Sequence, residues 1–74
     1  MTVTVKLFAT FRSGRFRVEA KEYPPETIIR RIVDDLGIEE QALGMVMLNG
    51  CHASLEQSLR EGDTLSLFPL VGGG

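Results

Sequence analysis

Residues 27–37 form the stretch of this 74-residue chain with the clearest helical period. The apolar residues of the predicted helix recur at spacings of one, three and four positions: Ile28, Ile29, Ile32, Val33 and Leu36. Thr27 is placed to cap the helix, and Gly37 is placed to end it in a left-handed C-cap with Ile38 packing back on the last turn. A chain this short buries only about 60% of the surface that its unfolded state exposes. The helix must therefore cover a sheet that supplies the rest of the core.

Strand patterns lie on both sides of this helix. Five segments are predicted as strands, namely residues 1–8, 16–20, 45–48, 51–53 and 64–70. In the first, Val3, Val5 and Leu7 share one face. Asn49-Gly50 is a tight-turn dipeptide between the third and fourth strands, and Pro69 belongs near the end of the last one because it lacks an amide hydrogen. Residues 54–60 are ambiguous, with room for a single helical turn.

The order of these elements predicts an α+β fold. A hairpin, a crossover helix and further strands give a mixed four- to five-stranded sheet with one main helix on one face. We assign residues 1–71 to this domain and residues 72–74 to a flexible glycine tail.

Composition excludes several classes of function. The formal net charge is −2, and the eight Lys and Arg are interspersed with acids, which argues against nucleic-acid binding. No apolar stretch approaches the ~20 residues of a membrane-spanning helix. One cysteine allows no internal disulfide and no cluster ligated by cysteines of one chain. Without a secretory signal pattern, the expected location is the cytoplasm.

The sequence ends on Gly72, Gly73 and Gly74, one residue after the last predicted strand. Glycine has the smallest cross-section and the widest conformational freedom, so such a tail fits a narrow channel. From Val71 to Gly74 it reaches roughly 13 Å, at about 3.3 Å per residue. The plainer interpretation is a frayed chain end.

The residues before the glycines favour the first interpretation. Asn49-Gly50 together with residues 59–74 resembles the MoaD/ThiS family of sulfur carriers, which includes the small subunit of molybdopterin synthase. The opening residues 5–12 and the helix end at residues 35–37 fit the same family. The resemblance implies the ubiquitin-like β-grasp fold. Two positions depart from the family pattern: Leu70 replaces a second proline, and Gly72 replaces a small residue such as Ala or Thr.

The resemblance also implies the chemistry of the tail. A free α-carboxylate is an anion at neutral pH and a poor electrophile. In the family, the carboxylate carried over here to Gly74 is adenylated with ATP by an E1-like enzyme, and a persulfide or sulfide then displaces AMP to leave a thiocarboxylate. Gly72 and Gly73 would enter the active-site channels of partner enzymes. The chain would bind no cofactor itself, and its partners would be the adenylating enzyme, a persulfide sulfur donor and a large synthase subunit or another sulfur-accepting enzyme.

The β-grasp strand order predicts a partner surface at the root of the tail. The first strand would lie parallel to the last, with the third strand antiparallel on the other side. Three side chains would then cluster on the face without the helix: Phe8, Met45 and Phe68. The expected interface continues into Pro69, Leu70 and Val71. Met45 and Met47 share a face of the third strand and could instead turn into the core, since only one register is correct.

Other candidates have simpler explanations. Cys51 and His52 are neighbours on a predicted strand, so they point to opposite faces and are too few for a zinc site. Cys51 is expected to be buried or half-buried. The helix residues Arg30, Arg31, Asp34 and Asp35 look like a solvated face with (i, i+4) pairs. Arg12, Arg15 and Arg17 could steer an acidic partner or form an ordinary hairpin surface.

The sequence offers no catalytic group of its own. It lacks a phosphate-binding GxxxxGK[ST] loop and a nucleophile–base pair. We therefore expect a protein substrate or subunit, with no metal. Molybdopterin synthesis is the first choice of pathway, and thiamine or cysteine synthesis stays open. A ubiquitin-like modifier conjugated through its C-terminus and a passive binding module are the alternatives.

Overall fold

Five strands and one α-helix build residues 1–70, the part of the chain that the computed structural model describes. The strands are β1 (Thr2–Leu7), β2 (Val18–Glu22), β3 (Leu43–Leu48), β4 (Cys51–His52) and β5 (Thr64–Pro69), and the helix is α1 (Ile29–Asp35). Short 3-10 helices at Ala9–Arg12 and Glu40–Ala42 were not predicted from the sequence. Among residues 1–70, no helix has both the length and the apolar character needed to cross a membrane.

The strands form one mixed sheet in the order β2-β1-β5-β3-β4. β1 and β5 are parallel, while the other three pairs are antiparallel. The predicted α+β fold and the β-grasp strand order are confirmed. The two strands that begin and end the domain therefore lie side by side at its centre, with Val5 opposite Leu65 and Leu7 opposite Leu67.

The core lies between α1 and one face of this sheet. Alternation places every second side chain of β1 and β5 on that face, and the helix buries its apolar stripe against them. The fully buried side chains are Val3, Val5, Leu7, Ile29, Ile32, Val33, Leu65 and Leu67. Phe11, Ile38 and Leu59 close the edges of this core.

The start of α1 differs from the prediction. Thr27 does not cap the helix, because its hydroxyl donates to the carbonyl of Pro24 at 2.7 Å and Ile28 occupies the N-cap position. The amides of Ile29 and Arg30 instead donate to the carbonyls of Gln57 and Leu55, at 3.0 and 2.8 Å. A segment distant in sequence thus satisfies amides that a helix cannot satisfy internally.

The end of α1 follows the prediction. Gly37 has a φ of +73°, the left-handed conformation of a C-cap glycine. Its amide donates to Asp34, and the amide of Ile38 donates to Val33. This pair of bonds is the Schellman motif, and Ile38 is buried beneath it.

Several strand boundaries shift from their predicted places, and β1 and β4 are each shorter than expected. β2 begins two residues later than expected because the 3-10 helix first carries Phe11 into the core. β3 begins earlier, at Leu43, and β5 ends at Pro69. The ambiguous residues 54–60 form a hydrogen-bonded turn, followed by an isolated β-bridge between Ser58 and Ile28.

The charged face of α1 was only partly predicted. Arg31 pairs with Asp35 one turn on, at 3.2 Å. Arg30 does not pair with Asp34. It reaches Glu56 at 2.7 Å and Glu40 at 2.9 Å, so it ties the helix to the segments on either side of it.

Candidate functional site

β5 leads the chain out of the sheet at one rim. Pro69 is its last residue, as the missing amide hydrogen of proline requires. The amide of Leu70 still donates to the carbonyl of Ala42 at 3.0 Å, but its side chain is 64% exposed. Val71 and the tail residues Gly72, Gly73 and Gly74 lie outside the described residues, so the domain boundary at residue 71 stays a prediction.

An aromatic stack lies on the open face of the sheet at this rim. The rings of Phe8 and Phe68 are 4.2 Å apart between centroids and nearly parallel, at 11°. Met45 is the register partner of Phe68 across the β3–β5 pair. All three side chains are half-buried. We call Phe8, Met45 and Phe68 the tail-root patch; the structure brings these three predicted interface residues together, and their role stays a prediction.

The register of β3 decides where its methionines lie. Val46 and Leu48 pack against the core, so Met45 and Met47 take the opposite, open face. Met47 is opposite Ser66 on β5 and His52 on β4. Neither methionine turns into the core.

Gly44 at the same rim was not singled out from the sequence. The β3–β5 register shifts between Leu43 and Met45, which marks a bulge at Gly44. A Cβ atom there would lie 2.6 Å from the carbonyl oxygen of Pro69 and 2.9 Å from its carbon. Only glycine allows β3 to approach the end of β5 this closely. A glycine within a strand pattern is the sequence signal that could have found it.

Basic side chains gather beside the tail-root patch. The guanidinium carbon of Arg12 lies 5.5 Å from the centroid of the Phe8 ring, and its Nε donates to the carbonyl of Leu7 at 2.8 Å. A groove of about 180 Å³ runs from Phe8 along the β1–β2 edge of the sheet. Its lining residues are Lys6, Leu7, Phe8, Arg12, Arg17 and Val18. Arg12 and Arg17 belong to the group that could steer an acidic partner according to the sequence, and the fold adds Lys6 to them.

Cys51 and His52 form the short edge strand β4, and both are exposed. The expectation that Cys51 is buried or half-buried is wrong, because the core does not extend over this edge of the sheet. In residues 1–70, no three His, Cys, Asp or Glu side chains converge as a metal site would require. The structure therefore assigns no shared chemical role to Cys51 and His52.

Comparison with known protein families shows to which family the chain belongs. The sequence model of the ThiS family matches residues 5–74, which includes the strands at the centre of the sheet, the tail-root patch and the three glycines. The chain belongs to the ThiS family. Comparison with curated proteins gives no match.

Solved structures resemble this ThiS-family protein over its full length. SAMP1 (small archaeal modifier protein 1) of Haloferax volcanii is 27% identical, with a TM-score of 0.78 and complete coverage of both chains. A candidate subunit 1 of molybdopterin converting factor from Pyrococcus furiosus is 26% identical, with a TM-score of 0.78 over 96% of this chain and 99% of that one.

A third similar structure is a complex of two proteins. It contains subunits 1 and 2 of molybdopterin-converting factor from Helicobacter pylori. The matching chain is 25% identical, with a TM-score of 0.67 and complete coverage of both chains. This ThiS-family chain thus shares its ubiquitin-like β-grasp fold with proteins of both kinds, converting-factor subunits and archaeal modifiers.

Proposed function

We propose that this ThiS-family protein is a sulfur carrier whose reacting group is the terminal carboxylate of Gly74. The observation that supports it best is the placement of β5. This strand lies at the centre of the sheet, and it leads the chain to the rim where the tail-root patch lies. A partner enzyme binds the folded domain while the glycine tail enters the active site of that enzyme.

The proposed chemistry proceeds in two steps. The carboxylate of Gly74 attacks the α-phosphorus of ATP on an E1-like adenylating enzyme, which releases pyrophosphate and leaves an acyl-adenylate. Sulfide then displaces AMP to give the thiocarboxylate. A persulfide donor would first give an acyl disulfide, which a thiol must reduce to the same product. The protein is the substrate of these steps and binds no cofactor itself, since ATP belongs to the activating enzyme.

The second partner is an enzyme that accepts the sulfur. We propose a large synthase subunit, with molybdopterin synthesis as the first pathway, because two similar structures are named as converting-factor subunits and one of them is solved with its subunit 2. The alternative pathways that the same chemistry would supply with sulfur are thiamine synthesis and cysteine synthesis. We place these reactions in the cytoplasm.

The tail-root patch is the surface we propose for both partners. Phe8, Met45 and Phe68 offer half-buried apolar area next to the chain exit, and Pro69 and Leu70 extend it towards the tail. Exposed apolar surface of this kind commonly marks protein interfaces. Val71 would join the interface as the first residue beyond the described part of the chain.

A second candidate function is protein modification. The similarity to SAMP1 over the whole of both chains favours it as strongly as the converting-factor similarity favours the carrier. The same activated Gly74 would then be joined to a lysine of another protein. The two functions share the adenylation step and differ only in what attacks the adenylate.

Intact-mass spectrometry of the native protein, purified from its own cells under reducing conditions, separates the two functions. A carrier gives a species in which one carboxyl oxygen is exchanged for sulfur. A modifier gives a ladder of higher-mass species, in each of which this chain is joined to another protein. If both species are absent from cells that actively make molybdopterin, the two proposals are contradicted.

A further inference from the structure

The positive charges of this acidic protein are unevenly placed. Residues 1–18 contain four of its eight Lys and Arg, at positions 6, 12, 15 and 17, and none of its ten Asp and Glu. The ion pairs found within residues 1–70 use Lys21, Arg30 and Arg31. The four cations of the first 18 residues take part in none of these pairs. Acidic residues outnumber basic ones in the whole chain, but residues 1–18 contain basic residues and no acidic ones.

Three of these four cations line one feature, the groove beside Phe8. Lys6 lies on the open face of β1, opposite Val18 of β2, and Arg12 and Arg17 border the same space. Arg15 is directed elsewhere, since it donates to the carbonyls of Leu36 and Phe11. We call the space lined by Lys6, Phe8, Arg12, Arg17 and Val18 the basic groove.

Arg12 is held in place to bind an anion. Its Nε donates to the carbonyl of Leu7, and its guanidinium lies near the face of Phe8. No contact within residues 1–70 uses its two terminal nitrogens as donors to a hydrogen-bond acceptor. A guanidinium fixed in this way can bind a carboxylate through two parallel hydrogen bonds.

The walls of the groove favour a protein segment over a small anion. Val18 is 53% exposed and, with Phe8, gives the groove an apolar side that a phosphate ion would not contact favourably. Phe8 also belongs to the tail-root patch, so the groove is continuous with the proposed interface. A protein that covers the patch must either extend over the groove or leave its cations at the border.

We propose that the basic groove receives an acidic segment, with Asp or Glu beside an apolar side chain, of the adenylating enzyme that activates Gly74. This inference rests on the proposed function. It adds a charge-based determinant of partner choice to the apolar patch. Charges at the rim of an interface mainly accelerate association and select among partners.

Charge reversal in the groove tests the inference. The double variant Lys6→Glu/Arg17→Glu leaves Arg12 and its contact with Phe8 in place. Its matched control is Arg60→Glu, also on an exposed residue outside the ion pairs of residues 1–70 but before β5, at the opposite end from the chain exit. The assay is ATP–pyrophosphate exchange with the adenylating enzyme of the same organism.

We expect the double variant to raise the KM for the carrier about tenfold or more in 50 mM salt, with kcat unchanged, because association is slowed. Above about 0.5 M salt the difference should nearly vanish, since the charges are then screened within a few ångströms. Arg60→Glu should change the KM less than about twofold. Equal effects of the two variants, or an effect that salt does not reduce, would overturn the inference.

A binding measurement on the unaltered protein covers the case in which the double variant is misfolded. Backbone amide shifts are followed while the peptide acetyl-Glu-Glu-Leu-Glu-Glu-amide, its lysine counterpart or inorganic phosphate is added. The acidic peptide should shift the amides of residues 6–18 most. Stronger shifts with phosphate, or equal shifts with the lysine peptide, would contradict the inference. If the wild-type protein supports ATP–pyrophosphate exchange and the groove variant behaves like it, only the role of the basic groove is rejected. If the wild-type protein supports no exchange, the proposed function itself is rejected.

Discussion

Gly44 limits how closely β3 can approach the end of β5. In Gly44→Ala, the new methyl group would meet the backbone of Pro69, which cannot move without disturbing the chain exit. We expect a loss of about 1–3 kcal/mol in unfolding free energy, as for other overpacked sites. The amide signal of Leu70 should move as well, because its hydrogen bond to Ala42 lies at the same rim.

Gly14→Ala is the control for the glycine change. Gly14 has a φ of +70° with open space around the added methyl group, so only its backbone conformation is strained. It should lose stability without moving the Leu70 amide. Chemical denaturation and amide spectra of both variants measure this. An unaffected Leu70 amide in Gly44→Ala would show that the bulge does not control the exit.

Phe68 tests the tail-root patch. Phe68→Asp places a charge in the stack with Phe8, so affinity for the adenylating enzyme or the large subunit should fall about tenfold or more. The fold should persist, because the side chain lies on the open face and not in the core. Phe68→Leu is the control, since it removes the ring but keeps an apolar group. Calorimetric titration compares the affinities of wild type, Phe68→Asp and Phe68→Leu, and circular dichroism checks that Phe68→Asp is folded. Equal affinities, or an unfolded Phe68→Asp, would remove Phe68 from the interface.

At the scale of elements, the helix depends on a segment that follows it by about 25 residues. Arg30 donates two hydrogen bonds to Glu56, and these hold the pKa of the Glu56 carboxyl below its ordinary value. A carboxyl whose pKa is lowered by folding stabilises the fold while it is ionised. That contribution is present above the ordinary pKa and is lost as the pH falls through the lowered one.

Glu56→Gln should therefore lower the Tm slightly at pH 7, where the exposed pair is ionised. The difference from wild type should shrink below about pH 4.3 and disappear in stronger acid, as Glu56 becomes protonated. Glu26→Gln is the control, because Glu26 has no ion pair among the described residues. Thermal melts from pH 2 to pH 7 measure it. A difference that grows in acid would contradict the assignment of the pair.

The elements that the sequence predicted are those with a strong local period. Alternation in β1 and β5 and the helical spacing of Ile29, Ile32 and Val33 depend only on which side chains must be buried, so they predict the core. The strand order was predicted from the resemblance to the β-grasp family, and the structure confirms it. The cap of α1 by residues 55–57 could not be predicted, because backbone carbonyls distant in sequence supply it. The exposure of Cys51 depends on how far the core reaches across the sheet.

The candidate site divides in the same way. The β-grasp strand order that the family resemblance implied was enough to predict that Phe8, Met45 and Phe68 lie together. The basic groove was predicted only in part: Arg12 and Arg17 were named as residues that could steer an acidic partner, whereas Lys6 was not, and Arg15 does not line the groove. The position of Arg12 depends on how the 3-10 helix returns it to the face of Phe8. Local charge counts cannot show which cations share a groove.

At the scale of the whole molecule, the proposed function assigns recognition to the folded body and reaction to the tail. The buried core runs from Val3 to Leu67, so changes in the tail should not affect folding. We expect Gly73→Val to keep the wild-type Tm and yet block adenylation, because a side chain at that position would obstruct a channel shaped for glycine. Gly73→Ala is the graded control and should retain partial activity. Normal adenylation of Gly73→Val would contradict the channel argument.

The central claim is that reactivity resides in the terminal carboxylate, with the folded body serving only for recognition. The most direct test compares the protein with a semisynthetic copy that ends in Gly74 carboxamide, in ATP–pyrophosphate exchange with the adenylating enzyme. Both should bind the enzyme with similar affinity, and only the free carboxylate should support exchange. Exchange by the carboxamide at the wild-type rate would place the reacting group elsewhere in the chain.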